Sequence, residues 1–292
     1  MPILETKNLS YVYSDGTPFK ITAIQNINIS VEKGEFIGII GHTGSGKSTL
    51  VQHLNGLLTP TSGEVLLDGK DINSSKELRR SARFKVGLCF QYPEYQLFES
   101  TVYKDISFGP KNMGLSEEEI REHTLKAAEF VGLKPELLKK SPFDLSGGEK
   151  RRVAIAGVMA MSPEILILDE PTAGLDPKGR DKISDMIKNY RLSTGSTVII
   201  VSHSMEDVAK LADRVLVMNK AHVEMFDTVH NVFGNVERLS EIGLNVPQLT
   251  QIFLNLKNNG IDVRTDIYTV EKAKKELLRL FDSSRYSEGG VK

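Results

Sequence analysis

Gly41-His42-Thr43-Gly44-Ser45-Gly46-Lys47-Ser48-Thr49 lies between the apolar run Phe36-Ile37-Gly38-Ile39-Ile40 and the helix-like stretch Leu50-Val51-Gln52-His53-Leu54. This is the phosphate-binding P-loop pattern in its proper setting, between a buried strand and a helix. Glycines let the backbone wrap closely enough to aim several N–H groups at phosphate oxygens, and the helix start adds the positive end of its dipole. Lys47 is then placed to neutralise charge on the β- and γ-phosphates, and the Ser48 hydroxyl to ligate Mg²⁺. The bland alternative is a glycine-rich turn without a ligand. Strand and helix context together favour a nucleoside triphosphate site that includes Gly41, His42, Thr43, Gly44, Ser45, Gly46, Lys47, Ser48 and Thr49.

Two further strand ends fit that site. Ile165-Leu166-Ile167-Leu168-Asp169-Glu170 reads as a buried parallel strand ending in two carboxylates. Burying an acid costs several kcal/mol unless it is paired or near a metal, so adjacent acids there suggest the ligand edge of an open α/β sheet. Asp169 is expected to hold Mg²⁺, through water, and Glu170 to polarise the attacking water. Thr197-Val198-Ile199-Ile200-Val201-Ser202-His203 is the next core strand and brings His203 to the same edge, either as a structural histidine or near the γ-phosphate.

The 292 residues are 40% hydrophobic and 26% charged, with a formal net charge of −1. That is an ordinary globular composition, without the basic stripe that nucleic-acid binding needs. The single cysteine, Cys89, excludes an internal disulfide or a Cys-rich zinc site. No apolar stretch approaches the roughly 20 residues that span a bilayer, and the first residues do not begin a signal peptide. Membrane contact is therefore expected only through a partner.

Residues 3–12 and 21–31 read as antiparallel strands, with Tyr11 and Tyr13 closing the first. An aromatic there either packs or stacks on a base. Val86-Gly87-Leu88-Cys89-Phe90 is another buried strand and delivers Gln91; four aromatics fall within 90–98, a packing or partner surface. A helical insertion follows from Thr101 to about Met161, and its helix over 116–131 has an acidic first turn. Ser146-Gly147-Gly148-Glu149 opens another helix, both as a capping box and as an anion-binding nest. Residues 228–292 read as helices, with Val246, Leu249, Ile252, Phe253 and Leu256 on one face and fraying from Ser283.

The ordered set of P-loop, Gln91, Leu145-Ser146-Gly147-Gly148-Glu149, Asp169-Glu170, Ala173-Gly174-Leu175-Asp176 and His203 resembles the ATP-binding cassette (ABC) ATPases over about residues 3–225. The resemblance implies an α/β P-loop core with an antiparallel β subdomain, an inserted helical subdomain over about 92–162 and a C-terminal helical appendage. The cassette would span 1–227, and 228–292 would be a dimerisation domain. Tyr13 becomes the adenine-stacking aromatic, and Gln91 links Mg²⁺ and the γ-phosphate to a membrane partner. Two cassettes would sandwich ATP head to tail, so Ser146, Gly147, Gly148, Glu149 and Asp176 act in trans. Glu170, His203 and Lys47 would carry hydrolysis of ATP in cis. Glu149 stands where many family members have Gln.

Gln91-Tyr92-Pro93-Glu94-Tyr95-Gln96-Leu97-Phe98, Phe108-Gly109-Pro110 and Asn112-Met113-Gly114-Leu115 narrow the resemblance to ATPases of energy-coupling-factor importers, and Gln52-His53-Leu54-Asn55-Gly56-Leu57-Leu58 with the tail from near Val229 resembles the second of the two paralogous ATPases in those complexes. It implies a paralogous ATPase partner, a transmembrane coupling protein, exchangeable substrate-binding membrane subunits for vitamins or other micronutrients, and a place on the cytoplasmic face of the membrane. Another ABC transporter class, or a soluble ABC protein acting on nucleic acid or ribosomes, is the alternative.

Overall fold

The computed structural model describes residues 2–287, with side chains up to Phe281. The chain begins with β1 (Leu4–Tyr13), β2 (Ile21–Val31) and β3 (Phe36–Gly41), then α1 (Lys47–Leu54), β4 (Ser62–Leu67), β5 (Lys70–Asp71), α2 (Lys76–Lys85) and β6 (Val86–Cys89). The insertion contributes α3 (Val102–Met113), α4 (Glu117–Phe130) and α5 (Gly147–Met159). The core resumes with β7 (Ile165–Asp169), α6 (Pro177–Thr194), β8 (Thr197–Val201), α7 (Met205–Leu211), β9 (Arg214–Asn219) and β10 (His222–Thr228). Helices α8 (Val229–Gly234), α9 (Val236–Glu241), α10 (Gln248–Asn258) and α11 (Val270–Ser287) follow.

Two sheets result. An antiparallel sheet has the order β2-β1-β4-β5, and a larger one the order β10-β9-β3-β8-β7-β6. The strands β9, β3, β8, β7 and β6 are parallel, whereas β10 returns antiparallel on β9. The parallel strands are buried along almost their whole length, which explains their unbroken Val/Ile/Leu text. One core fills the space between the sheets around α1, with Ile24, Ile37, Leu50 and Ile167. A second lies on the other face, where Val102, Ile106, Val153 and Ile155 of the helical insertion meet Leu166, Ile187 and Ile200.

Parallel order fixes the functional geometry. The ends of β3, β7, β8 and β6 emerge at one edge, so the P-loop, Asp169-Glu170, Ser202-His203 and Gln91 meet there although they are far apart in sequence.

The tail divides differently from the expected single helical face. Val246 precedes α10, whose N-cap is Pro247, and packs with Phe233, Leu239 and Leu244 against Ile40 and Val217. Leu249, Phe253 and Leu256 instead pack with Val263, Ile267 and Ala273, while Ile252 faces outward. Thus α8 and α9 share a core with β3 and β9, and a separate small core begins with α10. Helix α11 continues through Ser287, past the expected start of fraying; the remainder of that expectation, 288–292, lies outside the described residues.

Candidate active site

The loop after β3 is held by contacts that only glycine permits. Gly46 has φ +105, and a Cβ there would lie 2.4 Å from the Ala23 carbonyl oxygen. The same residue is the N-cap of α1, so the helix begins directly at Lys47. The Lys47 Nζ folds back and donates to the carbonyl oxygens of Gly41 (2.7 Å) and His42 (2.9 Å), using two of its three N–H groups. Burial pushes the Lys47 ammonium below its usual range, against the charges of Glu170 and Asp169. The buried Ser45 Oγ has no hydrogen-bond partner among the described residues.

Across the sheet edge, the Ser48 hydroxyl donates to Asp169 Oδ2 at 3.1 Å. Burial raises the Asp169 carboxyl above the usual carboxylate range, while Ser48 and the Lys47 charge oppose the shift. Strand β7 stops at Asp169, one residue earlier than expected, because Glu170 adopts φ 52. A left-handed glutamate is costly and persists only where its surroundings enforce it; here its N–H is held by the Val201 carbonyl at 2.9 Å. Glu170 Oε1 is buried and makes no hydrogen bond, with His203 Nε2 3.5 Å away. Burial, then repulsion from Asp169, pushes the Glu170 carboxyl up to about 7, against the Lys47 charge. Burial and the Lys47 charge hold the His203 imidazole below its usual range, against the pull of Asp169. His203 is therefore neutral at neutral pH and able to donate or accept one proton.

The elevated Glu170 pKa has a thermodynamic consequence. The folded state retains a proton that the unfolded state releases, so between pH about 4.5 and about 7 stability falls as pH rises. Above pH 7 the ionised carboxylate costs on the order of 3 kcal/mol. Glu170→Gln is therefore expected to raise the melting temperature of the nucleotide-free protein at pH 8 and to change it little at pH 4.5. Equal gains at both pH values would contradict a buried titrating carboxyl.

A cavity of about 490 Å³ joins these groups: Tyr13, Thr43, Gly44, Gly46, Lys47, Ser48, Thr49, Gln91, Asp169, Glu170 and His203 all line it. Tyr13 is partly exposed, its hydroxyl lies 3.3 Å from Thr49 Oγ1, and the Tyr11 ring meets it edge-on at 4.8 Å. His53, wholly buried, supports Tyr11 from below at 4.7 Å. The ring expected to stack on a base is thus braced at the cavity mouth.

The remaining predicted residues lie elsewhere. Ser146 caps α5 through the predicted box: Glu149 Oε2 accepts from Ser146 N (2.9 Å) and Oγ (2.6 Å). Those bonds hold the Glu149 carboxyl below its usual range. Nothing stands within 4 Å of a Cβ at Gly147 or Gly148, so this helix start offers an open face, and none of these residues lines the Lys47 cavity. Asp176 caps α6 by accepting from Gly179 N at 2.8 Å.

Sequence reading assigned no role to Arg151, one turn after Ser146. It is buried and forms a bidentate pair with Glu94 (Nε–Oε2 3.1 Å, Nη2–Oε1 2.7 Å), and Nη1 donates to the Ala173 carbonyl at 2.6 Å. Burial resists ionisation of Glu94, but the Arg151 hydrogen bonds and charge outweigh it and hold its carboxyl below the usual range. The guanidinium therefore ties the segment after Gln91, the Ser146 helix and the loop after Glu170 into one body. An arginine at that helical position was the available signal, but its partners are not visible in the text.

A glycine-rich loop at a helix start, its lysine, and an Asp-Glu strand end facing a histidine, with a second glycine-bearing helix start outside the cavity, have the layout of an ABC-type ATPase. The ABC transporter family profile matches residues 24–173. The energy-coupling factor transporter ATP-binding protein EcfA2 of Clostridium perfringens is 55% identical over 278 residues, 95% of this chain and 98% of its own. Its namesake from Caldanaerobacter subterraneus is 53% identical over 279 residues, 96% of this chain and 97% of its own. Among solved structures, cbiO1 of Clostridium perfringens, described as part of the ABC transporter complex cbiONQ, superposes with a TM-score of 0.73 at 40% identity, covering 88% of this chain and 99% of its own. The dimeric ABC transporter cassette MJ0796 matches with a TM-score of 0.70 at 31% identity, covering 77% and 98%. The chain belongs to the ABC transporter ATP-binding family and, within it, to the energy-coupling-factor transporter ATPases.

Proposed function

We propose that this chain binds and hydrolyses ATP at the Lys47–Glu170 cavity to drive an importer of vitamins or other micronutrients. The observation that carries the reading is the convergence of Lys47, Ser48, Asp169, Glu170 and His203 on one cavity, while the Ser146–Gly148 nest faces outward elsewhere. A nest without a phosphate of its own suits an ATP held by another cassette, so Ser146, Gly147, Gly148, Glu149 and Asp176 serve the partner's nucleotide. That partner is a paralogous cassette, and residues 228–292 add to the contact between the two.

In cis, the loop N–H groups and Lys47 orient and neutralise the β- and γ-phosphates, and Tyr13 stacks on the base. Glu170 takes a proton from the attacking water, and neutral His203 steadies the γ-phosphate. Among the described residues no cluster of three acidic, His or Cys side chains could hold a metal alone. The Ser48–Asp169 pair with Gln91 suits Mg²⁺, which typically completes its shell with phosphate oxygens and water. Bound there, it screens phosphate charge.

No described helix is long and apolar enough to cross a membrane. The reading is supported by a groove of about 380 Å³ lined by Phe84, Phe98, Phe108, Val158 and Met161, apolar enough to suit a helix of a transmembrane coupling protein that would serve exchangeable substrate-binding subunits. Phe98 and Phe108 are exposed and meet edge-on at 5.0 Å. Asp105 lines the groove, its Oδ1 accepting from the backbone N–H groups of Phe98 and Glu99. On this reading the chain sits peripherally on the cytoplasmic face of the membrane.

Affinity purification of the tagged chain from detergent-solubilised membranes tests the proposal. A second cassette, a polytopic coupling protein and small membrane subunits are expected together; recovery without any membrane chain would overturn it. Within the site, Tyr13→Ala should raise the KM for ATP roughly tenfold and lower kcat less, as loss of uniform binding does. An unchanged KM would assign Tyr13 to packing alone.

A further inference from the structure

The P-loop touches the C-terminal helices. His42 Nε2 lies 2.6 Å from the Ile242 carbonyl oxygen, at the end of α9. Only a donor can meet a carbonyl at that distance, so Nε2 carries the proton. The next residue, Gly243, has φ +73, and a Cβ there would stand 3.0 Å from the same ring nitrogen. The close approach therefore depends on glycine.

The turn 241–246 is flanked on both sides by parts of the ATP site. On one side a cavity of about 490 Å³ is shared by His42, Thr43 and Gly44 with Glu241, Ile242 and Gly243. On the other, a cavity of about 730 Å³ is shared by His203 with Gly243, Leu244 and Val246. The far ends of the turn are anchored. Leu244 and Val246 are buried against Ile40, the residue before the P-loop glycine. Gln248 N donates to Glu206 Oε1 at 3.2 Å, three residues beyond His203. Arg238 of α9 grips Glu241 (2.7 Å) and Glu224 of β10. The His42–Ile242 bond itself is exposed to solvent, and such bonds are weak. A weak bond between a ligand-binding loop and an anchored turn is suited to changing with ligand state.

We propose that the turn 241–246 is a nucleotide-responsive strut that couples the P-loop and His203 to the C-terminal helices, with His42 as its positioning residue. Phosphate ordering the P-loop fixes the His42 ring and tightens its bond to Ile242; loss of nucleotide releases it. The C-terminal helices thereby report the occupancy of the site, and their contacts with another subunit act back on it by linkage. The inference rests on the reading of residues 41–49 as an ATP cradle.

Hydrogen–deuterium exchange on the full chain carrying Glu170→Gln, with and without Mg²⁺-ATP, tests it. ATP should slow exchange in the P-loop and, by roughly threefold or more, in peptides covering 242–245. Gly243→Val should abolish the second effect and keep the first. His42→Ala should also lose protection of the turn, whereas His42→Gln, which keeps an N–H at similar reach, should restore it. Protection of the P-loop with no response at 242–245 overturns the strut; no protection at either place overturns the ATP cradle itself.

Discussion

Glu170→Gln is expected to bind ATP and to turn it over at least ~100-fold more slowly than the parent chain, the usual scale for loss of a general base. The structure gives the reasons. Glu170 is the acid with a buried, unbonded oxygen in the cavity, and its pKa of about 7 matches that of an efficient base near neutral pH. Glutamine preserves shape and removes the charge that repels both Asp169 and an incoming polyphosphate, so affinity for ATP should hold or rise. ATP should then accumulate, and with it a closed pair of cassettes. Turnover at the parental rate would take Glu170 out of the reaction.

Lys47→Ala is the second large effect. In the proposed site the ammonium would supply a charge-assisted contact to phosphate, worth about 3 kcal/mol, so ATP affinity should fall roughly 100-fold in calorimetric titration. Lys47 also closes the loop on itself through the Gly41 and His42 carbonyls. Its removal leaves those acceptors unpaired, and the nucleotide-free protein should lose about 1–3 kcal/mol of stability. Unchanged affinity would show that the lysine serves only to hold the loop.

These two residues were legible because their chemistry is written in contiguous text. A glycine pattern between strand and helix, and two acids at the end of an apolar run, need no distant partner to be recognised. Parallel strand order then does the assembling, and the cavity brings Gln91 and His203 to the P-loop as read. The capping-box reading of Ser146–Glu149 holds: the box forms, and both glycines beside it stay open.

What escaped the text depends on long-range contacts. Arg151 finds Glu94 across 57 positions and His42 finds Ile242 across 200, separations at which no periodicity or motif operates. The C-terminal stripe failed for a local reason. Val246 precedes Pro247, the N-cap of α10, so residues at helical spacing fell into two different cores, and Ile252 was left outside both. The apolar run predicts a strand through Glu170, but the left-handed backbone of that residue ends it at Asp169.

In the proposed assembly each ATP is shared between the P-loop of one cassette and the Ser146 nest of another. Cross-linking measures this directly. The only native cysteine, Cys89, is buried, so a cysteine introduced as Ser146→Cys is the reactive thiol on this chain. In the purified complex it should be joined by a short thiol-reactive linker to a cysteine in the P-loop of the paralogous cassette when ATP is bound, and not with ADP. A cross-link that ignores the nucleotide, or that never forms between the two chains, would contradict the shared site.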